Sequence, residues 1–174
     1  MKKIISLLLV LCLMSLCAFA LAADSKGTGG GTVIPDTEDE AEEAVVTLAP
    51  APAAALAMFE ALGEGESVLT PFAPATQDAA RALCATADNM SLIEMSGVAV
   101  DADLYQAGPL DVTLDYDEDF SQFANVLVVL SANGAEQAAK PEITEEGDLK
   151  IQIAEDFVRN ILADAEAFVA VLAE

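Results

Sequence analysis

The sequence predicts an α+β fold: one small, mainly antiparallel domain, for which sandwich-like packing is one form, carrying two or three short alanine-rich helices. Three observations predict it. Two segments alternate strictly between apolar and polar residues, two others are unbroken apolar runs of strand length, and alanine-rich stretches repeat their apolar residues at helical spacing.

In chain order, Ala53 to Leu62 consists of strong helix formers, with Leu56, Phe59 and Leu62 on one stripe and Gly63 placed to end it. Thr76 is positioned to cap a second helix from Gln77 to about Ala87, whose apolar face is Ala79, Ala80, Leu83 and Cys84. Alanine buries little area, so both helices need a larger surface to pack upon. Ser91 to Met95 and Val98 to Val100 are weaker strand candidates. Leu110 to Tyr116 alternates, with Leu110, Val112, Leu114 and Tyr116 on one face and Asp111, Thr113 and Asp115 on the other. Leu149, Ile151 and Ile153 repeat that pattern, whereas Val126 to Leu130 is continuous and β-branched, as in a strand covered on both sides. Asn133-Gly134 follows it, a dipeptide that tolerates positive φ and turns hairpins.

An internal echo links these segments. An alternating strand, the tripeptide Glu118-Asp119-Phe120 and the apolar Val126 to Leu130 are matched by a second alternating strand, Glu155-Asp156-Phe157 and the apolar Phe168 to Leu172. In each unit a strand leaves a sheet, a short helical turn begins on acidic residues suited to its positive end, and a phenylalanine pins it before a strand returns. The segment from Phe157 to Leu172 also fits one amphipathic helix of about 18 residues. The echo favours a short helix from Glu155 to about Ala163 followed by a strand from Ala167 to Leu172.

Ahead of the domain, residues 1–22 read as a secretory signal peptide. Lys2 and Lys3 precede an apolar run from Ile4 to Phe19, and Ala20-Leu21-Ala22 supplies a small-x-small cleavage site. Cleavage is expected after Ala22, with Ala20 as the alternative, and retention as a membrane anchor is the competing reading. Residues 23–52 read as a tether: a glycine-rich stretch, then six carboxylates within Asp36 to Glu43, then Ala49-Pro-Ala-Pro. The folded domain is expected over 53–174. Loss of Lys2 and Lys3 leaves five basic against thirty acidic residues, a formal charge of −25. That charge repels nucleic acid and anionic lipid. The expected location is secreted or extracytoplasmic, as a bacterium-like Lys-Lys start suggests, with a cell-envelope or protein partner and with membrane attachment only if the leader is kept.

The chemistry expected of such a chain is narrow. It contains no histidine, so zinc sites of the usual nitrogen and sulfur type, Ser-His-Asp catalysis and Cys-His catalysis all lack a required group. Cys84 is the one cysteine beyond the leader and is expected to be a buried apolar thiol. Asp115, Asp117 and Asp119 resemble the start of a calcium loop, yet Phe120 stands where that loop needs glycine and Val126 where it needs a bidentate Glu. They are weak candidate metal ligands, and Asp101-Ala-Asp103 departs sooner. Asn89-Met90-Ser91 matches a glycosylation triplet, read as coincidence. The function expected is a non-catalytic accessory or interaction module without a cofactor; the alternatives are a weak calcium binder and a carboxylate-type hydrolase.

Overall fold

The two alternating segments pair with one another, and so do the two apolar runs, so the echoed units form the frame of the fold. The computed structural model describes residues 45–174 and the backbone of 32–34. In chain order these form β1 (Thr32–Ile34), β2 (Val46–Pro50), α1 (Ala53–Glu60), α2 (Pro74–Leu83), β3 (Ser91–Val100), β4 (Leu110–Asp115), β5 (Val126–Ala132), β6 (Ala135–Ala139), β7 (Glu142–Ile143), β8 (Leu149–Ile153), α3 (Glu155–Leu162) and β9 (Phe168–Ala173). Short 3-10 turns occupy Ala87–Asn89 and Phe120–Gln122. The leader and the rest of the expected tether, residues 1–31 and 35–44, lie outside the described residues.

All pairings are antiparallel, in two sheets ordered β1-β4-β8-β7 and β2-β3-β9-β5-β6. Each echoed unit sends its first strand to the smaller sheet and its second to the larger. Because β4 is antiparallel to β8 and β5 to β9, the units are related by an approximate twofold rotation. Phe120 and Phe157 pin the two connections as expected, and both join the core between the sheets. Val112, Leu114, Leu149, Ile151 and Ile153 meet Val128, Leu130, Val169 and Val171 there.

The expected strand after the short helix is present as β9, and all six of its residues are buried. Val169, Val171 and Ala173 face the inter-sheet core, while Phe168, Ala170 and Leu172 face a second core beneath the helices. One long amphipathic helix would have left the larger sheet without this central strand. Burial of a leucine on either face contributes about 1.5–3 kcal/mol. α1 and α2 bring only Ala55, Leu56, Phe59 and Ala80 to the second core, which is why these alanine-rich helices depend on the sheet for their apolar contact. α3 places Phe157, Val158 and Ile161 in the first core and touches β3, β5 and β6.

Three expectations need correction. Val46–Pro50 belongs to the fold and not to a tether: it pairs along β3, with Val46 2% exposed. A proline normally argues against a strand, but β2 lies at the sheet edge, where Pro50 sacrifices no shared hydrogen bond. The domain therefore starts before Ala53. The second helix begins at Pro74 with Ala73 as its cap, and Thr76 is a buried helical residue instead of the cap. Pro74 suits the first turn because its missing N–H would have no helical partner. The helix ends at Leu83, short of the expected Ala87; Thr76, Ala80 and the capping Cys84 are buried, and Leu83 is 40% exposed. Finally, the two weak strand candidates are one strand, β3, with an irregularity between Leu92 and Glu94. Ser96-Gly97 lies between the two candidates and joins them within β3. Gly97 suits this close approach, since the Pro50 carbonyl oxygen lies 3.0 Å from where a Cβ would sit, and Ser96 is fully buried.

Candidate functional site

Of the three aspartates singled out in the sequence, Asp115 is the last residue of β4 and Asp117 and Asp119 follow it, and the structure gives them different surroundings. The pairing of Leu114 with Leu149 brings Asp115, one residue after Leu114, close to Asp148, one residue before Leu149. Asp148 sits in a tight turn in which its N–H donates to Thr144 Oγ1 (3.1 Å) and the Thr144 N–H donates to its carbonyl (2.9 Å). Burial pushes the Asp148 carboxyl above the ordinary carboxylate range, and the negative charges of Asp115 and Glu146 push it further, against a hydrogen bond with Thr144.

Asp119 is turned to a different task. Its carboxylate accepts from the Ser121 N–H (2.9 Å) and caps the Phe120–Gln122 turn, and hydrogen bonds from Ser121 hold its pKa below the usual value. The Phe120 N–H donates to the Gly147 carbonyl (3.1 Å), which ties this turn to the Thr144–Asp148 turn. Asp117 is exposed. The carboxylates whose charges act on Asp148 are therefore Asp115 and Glu146, a grouping that the linear spacing did not suggest. The pairing of the two alternating strands carries that signal. Among the described residues, no group of three or more His, Cys, Asp or Glu is placed to hold a metal ion.

Polar groups also gather inside the sandwich. Tyr116, next along from Asp115, is 7% exposed and lies against Phe120 edge-on at 5.9 Å between ring centroids. Burial pushes its hydroxyl up to about 12, with the negative charge of Glu94 adding to the rise and a hydrogen bond with Ser96 opposing it. Glu94 and Ser96 are alternate residues of β3 and so point to the same side of the larger sheet as Tyr116.

Cys84 is buried, as expected, at the C-terminal end of α2. Its Sγ lies 3.2 Å from Thr86 Oγ1, and Thr86 in turn donates to the Glu174 carboxylate, which also accepts from Asn125 Nδ2 at 2.8 Å. Glu174 further exchanges backbone hydrogen bonds with Ala124 and Asn125. The arrangement fastens the last residue beside the start of β5. Nearby, Arg81 grips Asp88 through Nε and a terminal nitrogen, both at 2.9 Å, on an exposed surface. On the outside of the helical layer stand Met58 and Leu83, 37% and 40% exposed.

These features define a class by architecture: a two-sheet antiparallel sandwich whose larger sheet carries a helical layer, an α+β domain. No protein-family model, no curated protein and no solved structure matches this chain.

Proposed function

We propose that the protein is an exported, non-catalytic accessory or interaction domain that works at the cell envelope or outside the cell. The observation that carries this reading is the leader: two lysines, an apolar run from Ile4 to Phe19 and the Ala20-Leu21-Ala22 site stand ahead of a domain whose described sheets are built from Thr32 onward. Three further properties support it. The chain has no histidine to act as a general base near neutral pH, its one thiol beyond the leader is buried, and the charge of −25 left by cleavage keeps a molecule soluble and away from anionic surfaces. Nucleic acid is an unsuitable partner for such a field, and a protein of the envelope is the partner proposed.

The mass of the chain and the fraction that holds it test the reading together. A mass starting at Ala23 outside the cytoplasm is the expected result. An intact Met1 in the membrane fraction makes the same domain a stalked surface protein, and an intact chain in the cytosol overturns export. No stabilisation at millimolar calcium is expected from a melting experiment, whereas a clear rise would replace this reading with the calcium-binding one.

A further inference from the structure

The hairpin joining β5 to β6 turns through Asn133 and Gly134, with both residues at positive φ, 50° and 73°, and with Ala132 paired to Ala135. This is a two-residue type I′ turn. Both turn residues are exposed. Of the four asparagines, Asn89, Asn125, Asn133 and Asn160, only Asn133 is followed by glycine. Glycine leaves the next backbone nitrogen without a side chain to hinder its approach, which makes this the one asparagine with an open route to ring closure.

We propose that Asn133 is a site of spontaneous deamidation whose conversion is held back by the closed hairpin. The Gly134 backbone nitrogen, having lost its proton, attacks Asn133 Cγ; the new N–Cγ bond forms, the Cγ–NH2 bond breaks and ammonia leaves. Water then opens the resulting succinimide at either carbonyl, giving aspartate or isoaspartate. Ring closure needs the Gly134 nitrogen on the same side of the Cα–C bond as Asn133 Cβ. A type I′ turn, with ψ of about +30° at its first central residue, holds that nitrogen nearly opposite. Asp164 strengthens the lock, since its carboxylate accepts from the Asn133 N–H. Either product places a new negative charge beside Asp164, and isoaspartate also lengthens the main chain within the turn. The loosened strand would be β6, whose Glu136 accepts from the Ala73 N–H at 2.9 Å and whose Gln137 bridges the Gln152 carbonyl and the Ala154 N–H at 2.8 and 3.1 Å.

The test is peptide mapping of the whole protein after incubation at mildly alkaline pH, with and without denaturing urea, reading the mass gain of exchanging –NH2 for –OH. Conversion at Asn133 should outpace that at the other three asparagines, rise roughly tenfold or more when urea opens the hairpin, and rise also in the folded Asp164→Ala variant. Asn133→Gly keeps the positive-φ turn and should remove the signal. Equal conversion at all four asparagines would overturn the site, and equal rates at Asn133 with and without urea would overturn the lock.

Discussion

Gly147 shows how a single residue can hold two turns together. Its φ is +95°, and the Asp119 carboxylate occupies the space that a Cβ would enter. Gly147→Ala therefore meets both backbone strain and a clash, and should cost about 1–3 kcal/mol, read as a lower urea midpoint at unchanged slope. Adding Asp119→Ala should recover the part due to the clash and leave the strain, so the two costs should not add. An additive pair would show that the close approach is unimportant. Tyr116 supplies a second residue-scale expectation. Its hydroxyl is neutral in the folded protein up to about pH 12, whereas an unfolded tyrosine ionises near 10. Between those values the unfolded chain has lost a proton that the folded chain keeps. Stability is therefore unaffected below about pH 10 and falls above it, by up to about 2–3 kcal/mol. In a Tyr105→Phe background, tyrosinate absorbance should rise only on unfolding in that window, and ionisation without unfolding would contradict the burial of Tyr116.

At the scale of elements, the strands with a period were legible and those without one were not. Leu110 to Asp115 and Leu149 to Ile153 could be assigned from alternation, and Val126 to Leu130 from continuous β-branched character. The echo correctly separated α3 from β9 where helical periodicity alone pointed to a single helix. By contrast, Ala135–Ala139 has neither a β-branched nor a large apolar residue, and only the hairpin turn before it hinted at a strand. β2 is hidden by Pro50 within it and Pro52 just beyond it, and Asp148 by the fact that its nearness to Asp115 is made by pairing over a long sequence separation. The expected face of α2 included Leu83, which is the last residue of the helix and stands exposed, and that difference is measurable. Leu83→Ala should change stability by only about 0.5 kcal/mol or less, as expected of an exposed position. Leu172→Ala, near the C-terminal end of β9 and fully buried, should cost about 2–5 kcal/mol. Comparable losses from the two would restore Leu83 to the core.

For the whole molecule, the balance of charge decides how stability responds to its surroundings. Thirty acidic residues stand against seven basic ones in the full chain, and the two ion-paired arginines, Arg81 and Arg159, act locally on surfaces where such pairs are worth little. Self-repulsion should therefore weaken the folded state at neutral pH, and added sodium chloride, by screening it, should raise the melting temperature. Acidification acts on the same balance through particular groups. Asp148 has a raised pKa when folded, so as pH falls it takes up its proton in the folded state before it does so in the unfolded one, and stability rises. Asp88 and Asp119 have lowered values when folded, Asp88 through its hydrogen bonds to Arg81 and Asp119 through Ser121, so their contribution is present above the ordinary carboxylate range and is lost as pH falls through their folded values. The two opposing directions place the stability maximum on the mildly acidic side of neutrality, above the range in which Asp88 and Asp119 protonate. Urea midpoints measured across that range should show a rise and then a fall, and Asp148→Asn should flatten the rise while sparing the fall. If Asp148→Asn leaves the rising limb intact, the crowding of Asp115, Glu146 and Asp148 is not what the folded protein relieves by taking up a proton.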